Sequence, residues 1–307
     1  MAILDDYQNV ALATADWSPV SARADITVFT DHVADVDALV ERLAPFDVLM
    51  VMRERTPLPR SVIERLPRLR MIASTGPQNA SIDMAAAAES GVHVAHTGGT
   101  VAATVELTWA LILGAARHLV TERQAVADGR WQTTVGRELD RRVLGVLGLG
   151  RIGARVARIG AAFGMDVVAW STNLTAHAAQ EAGARYLPRK EFFAAADVLS
   201  IHLKLGERTR GLVGAAELST MKSTALLVNT SRGPIVDEAA LVEALRSGSI
   251  AGAALDVFDT EPLPADHPLR TSTNVLATPH IGYVADRPYR IFFRDAVNAI
   301  AEWLDSQ

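Results

Sequence analysis

A chain of 307 residues with 49% apolar and 21% charged side chains holds enough core material for two domains of ordinary size. Its formal net charge of −5 argues against nucleic acid as the main partner, and the absence of cysteine excludes thiol catalysis, disulfides and cysteine-ligated metals. Asp5 and Asp6 stand where a signal peptide needs positive charge, and even the apolar run Leu107–Ala116 is too short to span a membrane, so a soluble cytoplasmic protein is expected.

In chain order, Ile26–Phe29, Val48–Met52, Leu69–Ser74 and Val92–Ala95 read as short buried strands. Between them Val36–Leu43, Ser61–Leu66 and Ile82–Glu89 have helical spacing, with Asp35, Ser61 and Ser81 as expected N-caps. Gly98-Gly99 marks a boundary, and one long helix is expected from Val101 to about Ala127. A second βα series follows, with strands at Val143–Leu147, Val167–Ala169, Val198–His202, Ala225–Asn229, Gly252–Asp256 and Val275–Ala277 and a helix at Asp237–Arg246. Pro288–Leu304 reads as an amphipathic helix with Ile291, Phe292, Ala296, Ile300 and Leu304 on one side. The expected fold class is α/β, with two Rossmann-like domains facing each other across an interdomain cleft. Ligands in such sheets bind beyond the carboxyl ends of the strands, so the loops after each strand carry the interest.

The run Val143–Leu147 leads straight into Gly148-x-Gly150-x-x-Gly153 and then an apolar-periodic segment, the order strand, tight turn, helix. Gly148 permits the turn, Gly150 lets backbone approach a pyrophosphate, and Gly153 lets helix and strand pack closely. The phosphates then sit on the amides at the positive end of the helix. Taken alone, the motif also fits a glycine-rich turn in another α/β protein. Three later loops add chemistry: Thr230-Ser231-Arg232-Gly233, Val257-Phe258-Asp259-Thr260-Glu261-Pro262 and Thr278-Pro279-His280-Ile281-Gly282. Arginine offers a planar fork to a carboxylate, histidine moves a proton near neutral pH, and a carboxylate beside it orients the ring. That set suits hydride transfer to a 2-oxo acid. Singly, Arg232 also reads as a salt-bridge residue, Glu261 as a turn acid and His280 as a loop histidine.

With these motifs in order, together with Leu66–Arg70, Thr75-Gly76 and Glu106–Leu111, the chain resembles the D-isomer-specific 2-hydroxyacid dehydrogenases over nearly its whole length. The resemblance implies a flavodoxin-like substrate domain (1–97 plus 285–307) and an NAD(P)-binding domain (98–284). It implies an enzyme with His280 as general acid/base, Glu261 as its partner and Arg232 as the anchor of the substrate carboxylate. Arg151 and Ile152 would contact the pyrophosphate. Thr230, Ser231, Arg232, His280 and Gly282 would border the nicotinamide, with Asp256 accepting from its carboxamide. Ser74, Thr75 and Gly76 match the loop whose amides grip the substrate carboxylate. The family's D-specificity and its homodimers, built here near Val101–Ala127, are implied too.

Three departures qualify the match. Ser171 stands where an acid usually meets the ribose, which leaves NAD and NADP both open. Lys204 replaces a usual proline, as a solvated loop charge or a phosphate contact. Pro77 removes a backbone donor from the carboxylate-binding loop. Arg53 is a candidate second substrate anchor or a solvated turn residue, and Tyr283 either lines the pocket or packs at its edge. His93, His96 and His118 lie in apolar segments without metal-ligand spacing and read as structural. The other functional reading, a dinucleotide-sensing corepressor-like interaction protein, does not require the full Arg232, Glu261, His280 set. The sequence leaves the substrate open among glyoxylate, hydroxypyruvate, phosphoglycerate-type and bulkier acids.

Overall fold

The computed structural model describes residues 1–307, which divide into two compact units: 1–100 with 284–307, and 101–283. The first unit is built on five parallel strands, β1 (Ala2–Ile3), β2 (Thr27–Val28), β3 (Val48–Val51), β4 (Met71–Ser74) and β5 (His93–His96), in the order β2-β1-β3-β4-β5. β1 is absent from the sequence reading because two residues followed by Asp5 and Asp6 do not look like a strand. It nevertheless pairs with both β2 and β3. Leu49, Val51 and Ile72 pack against Leu39, Val40, Leu43, Val62, Ile63, Ala86 and Ala87 from the covering helices. Elsewhere in the unit, the terminal helix Asp286–Asp305 brings Phe293 edge-on to Trp17 and Tyr289, at 6.5 and 5.6 Å between ring centres.

Asp35 caps its helix as expected, accepting from the amide of Ala38. The two serine caps are not formed. One helix starts at Arg60 behind Pro59, whose fixed φ suits the extended entry, and another starts at Met84 behind Asp83, whose carboxylate takes the amide of Ala86. His93 and His96 are exposed rather than packed in apolar surroundings, because β5 is the edge of the sheet.

The second unit has seven parallel strands: β6 (Val143–Leu147), β7 (Asp166–Trp170), β8 (Arg185–Tyr186), β9 (Val198–Ile201), β10 (Leu226–Asn229), β11 (Gly252–Leu255) and β12 (Val275–Ala277). Their order is β12-β11-β10-β9-β6-β7-β8, so the winding reverses between β6 and β9. Alternation along β6 sends Leu144 and Val146 into a core with Trp109 and Ile112, and Leu147 into another with Phe192 and Phe193. The long helix expected from Val101 to Ala127 is two helices, Ala102–Ala116 and Leu119–Ala127, with His118 between them at φ +52°. The carbonyl of Ala116, which a continuing helix would offer to Val120, instead accepts the amide of Arg137 at 2.8 Å. No helix is long and apolar enough to cross a membrane.

Candidate active site

The turn after β6 is shaped by its three glycines. Gly148 has φ +96°, and a Cβ there would lie 2.9 Å from the carbonyl oxygen of His202. A Cβ on Gly153 would fall 2.0 Å from the carbonyl oxygen of Gly148, so only glycine lets the helix Gly153–Ala162 start against the strand. A Cβ on Gly150 would meet nothing within 4 Å. The space above Gly150 and the exposed Arg151 fit a dinucleotide pyrophosphate seated on the first turn of the helix. Ser171, at the end of the next strand, is partly exposed and brings no negative charge.

β10, β11 and β12 are neighbours in register, with Asn229 opposite Leu255 and Leu255 opposite Ala277. The three loops carrying Arg232, Glu261 and His280 therefore leave the same edge side by side. Nδ1 of His280 lies 2.5 Å from Oε2 of Glu261, and Oε1 of Glu261 accepts the amide of Phe258 at 2.9 Å. The carboxylate is thus held by its own loop and aimed at the ring. Arg232 donates from Nη1 to the carbonyl of Ser231 at 2.7 Å, while Asn229 accepts from the amide of Ser231 and donates to the carbonyl of Arg232. Tyr283 packs edge-on to the imidazole, with ring centres 5.5 Å apart.

Several site groups carry no role in the sequence reading. Thr104 and Thr108, one turn apart on the helix Ala102–Ala116, reach the carbonyl of Gly282 at 3.0 Å and the hydroxyl of Thr230 at 2.8 Å. Their i, i+4 spacing was a visible signal. Thr278 donates to Asp256 at 2.6 Å. Asp256 is fully buried and also accepts the amides of Ile281 and Gly282, each at 2.8 Å, so most of its accepting capacity is used inside the protein. Burial pushes its carboxyl group up, and the hydrogen bonds and the His280 charge oppose that shift. Lys204 is an exposed loop residue.

In the loop after β4 of the first unit, the amide of Thr75 donates to Val51 O at 3.0 Å and that of Gly76 to Thr97 Oγ1 at 2.7 Å, so both are already engaged. Asn79 ties the carbonyl of Arg53 to the hydroxyl of Ser74, at 2.6 and 3.1 Å. Arg53, at φ +54°, lies across this loop: a Cβ on Gly76 would sit 1.6 Å from its Nη1. The loop thus presents a guanidinium beside Gly76, while Pro77 contributes no donor.

A doubly wound sheet with a pyrophosphate turn, and an arginine and a histidine–carboxylate pair at one edge, defines a dinucleotide-dependent oxidoreductase. Residues 109–282 match the profile of the D-isomer specific 2-hydroxyacid dehydrogenase NAD binding domain, and the chain belongs to that family. It is 45% identical over 229 residues to a glyoxylate reductase of Aeropyrum pernix, covering 71% of this chain and 68% of that one. It is 32% identical over 315 residues to a hydroxypyruvate reductase of Blautia hydrogenotrophica, covering 99% and 96%. A phosphoglycerate oxidoreductase of Vibrio cholerae superposes with a TM-score of 0.94 at 40% identity, over 100% of this chain and 99% of that one. The protein is an NAD(P)-dependent 2-hydroxyacid dehydrogenase, and the corepressor-like reading finds no support among these relatives.

Proposed function

We propose that the protein reduces a small 2-oxo acid to the D-2-hydroxy acid, with His280 as the general acid. The observation that carries this reading is the 2.5 Å approach of Glu261 to Nδ1 of His280. With Nδ1 engaged, Nε2 is the ring atom that delivers a proton to the developing alkoxide. Arg232 binds the substrate carboxylate and polarises the adjacent carbonyl. Gly148, Gly150, Arg151, Ile152 and Gly153 hold the pyrophosphate; Ser171 borders the ribose; Thr230, Ser231, Asp256 and Gly282 border the nicotinamide. The bound reduced nicotinamide supplies the hydride. The 2-carbon thus gains a hydride and its oxygen a proton from His280, which solvent replaces. The amides of Thr75 and Gly76 are engaged, and Arg53, which donates from Nη1 to the carbonyl of Thr75 at 3.2 Å and lies 3.6 Å from Glu54, supplies the positive charge for an anion in the first unit. Tyr283 limits the freedom of the imidazole.

Glyoxylate and hydroxypyruvate are the substrates of choice, because relatives named for them align over two thirds or more of their length. The test is consumption of NADH and of NADPH with glyoxylate, hydroxypyruvate, pyruvate, phenylpyruvate and 3-phosphohydroxypyruvate. Turnover on a small 2-oxo acid supports the reading; binding of both cofactors without turnover on any of them removes it. A homodimer belongs to the same reading. Leu119, Val120, Val126, Trp131 and Val135 are exposed apolar residues in and after the helix Leu119–Ala127, Trp131 at 77% and Val135 at 92%, and suit cover by a second copy. Sedimentation that shows a monomer at micromolar concentration removes the dimer.

A further inference from the structure

His280 holds a backbone conformation, φ +52°, that a residue with a side chain rarely adopts. On its amino side, the amide of Thr278 extends the sheet by donating to Leu255 O at 2.8 Å, and its hydroxyl donates to Oδ1 of Asp256. On its carboxyl side, the amides of Ile281 and Gly282 donate to Oδ1 and Oδ2 of the same carboxylate. A Cβ on Gly282 would lie 3.1 Å from Oδ2, so glycine is what lets that amide come so near. Thr104 pins the carbonyl of Gly282 from the neighbouring helix.

We propose that Asp256 and Thr278 form a positioning latch for His280: one buried carboxylate at the end of β11 grips the β12 loop on both sides of the histidine and sets its backbone so that Nδ1 meets Glu261. Neither residue needs to touch substrate for this. The inference rests on His280 being the general acid, and it gives Asp256 a task separate from contact with the nicotinamide. A carboxylate suits the task because its two oxygens accept all three donors, whereas an amide of the same shape keeps one accepting oxygen and turns its NH2 toward the donors at the other position. Small displacements of an acid group cost rate out of proportion to their size.

The test uses the full-length protein labelled with ¹⁵N-histidine, the hydrogen-bonded Nδ1 proton of His280 being assigned by its loss in His280→Gln. The latch predicts that this resonance persists in Thr278→Ser and disappears in Thr278→Val and Asp256→Asn. With glyoxylate or hydroxypyruvate, kcat falls about 10²-fold in the same two variants, is restored in Thr278→Ser, and the Kd of Thr278→Val for NADH stays near wild type. Thr278→Ala takes the place of Thr278→Val should the latter not fold. An unchanged resonance in Thr278→Val and Asp256→Asn overturns the latch. Equal losses in Thr278→Ser and Thr278→Val, or a fall in cofactor affinity that accounts for the whole loss, overturn it as well. Should the wild type reduce no 2-oxo acid, the functional reading fails on that ground and the resonance alone decides the latch.

Discussion

Glu261 is bonded at both ends of its carboxylate, to the amide of Phe258 through Oε1 and to Nδ1 of His280 through Oε2. In the proposed reaction it would serve as an orienting group, held by an amide of its own loop. Glu261→Gln keeps an acceptor for Phe258 and removes the charge that faces the ring. The expected result is a kcat lower by about 10²-fold, with the Kd for NADH unchanged. Stopped-flow turnover and fluorescence titration of the cofactor check it, and wild-type kcat would remove Glu261 from the mechanism.

Gly150 and Gly153 lie in the same turn but differ in what a side chain would do to stability. A Cβ on Gly150 meets no protein atom within 4 Å, so Gly150→Val should fold with a normal Tm yet bind NADH at least about tenfold more weakly, because it fills the space the proposed pyrophosphate would take. A side chain on Gly153 collides with the carbonyl of Gly148, so Gly153→Ala should lower Tm by several degrees as well as weaken binding. Parallel thermal melts and cofactor titrations separate the two. Equal Tm losses would contradict this division of roles.

Arg232→Lys replaces a planar fork with a point charge. A higher KM for the 2-oxo acid and a lower kcat are expected together, with cofactor affinity preserved. Unchanged steady-state kinetics would place the carboxylate anchor elsewhere.

His202 is half-buried just after β9, with Nε2 2.8 Å from the hydroxyl of Ser200; loss of hydration holds the imidazole down to about 3. In the unfolded chain the ring takes a proton below its ordinary 6.5, whereas the folded protein does not until about 3. Between these values the unfolded state binds more protons, so His202 makes stability fall as pH drops through that window. His202→Gln removes this titration. Its urea-melt stability should decline less steeply below pH 6.5 than that of the wild type, and parallel slopes would show that His202 does not titrate on unfolding.

Much of the second unit was legible because its signals are local. Gly148, Gly150 and Gly153 mark a turn by spacing alone, and Arg232, Glu261 and His280 follow three apolar runs that became β10, β11 and β12. What escaped depends on contacts between distant residues. The break at His118 follows from Ala116 bonding to Arg137, twenty-one positions away in the chain. The grip of Asp256 on Ile281 and Gly282 uses main-chain donors, which leave no mark on residue type. The missing backbone donor of Pro77 is legible in the sequence, but the engagement of Gly76 by Thr97 and the placement of Arg53 across that loop needed the fold.

The most direct test compares wild type with His280→Ala for the rate of NADH consumption with glyoxylate or hydroxypyruvate, alongside NADH binding to the same two proteins. A loss of about 10²–10⁴-fold in turnover with near-normal cofactor affinity is the predicted result. Turnover close to wild type in His280→Ala would contradict the assignment of the proton to His280, and with it the roles given to Glu261, Asp256 and Thr278.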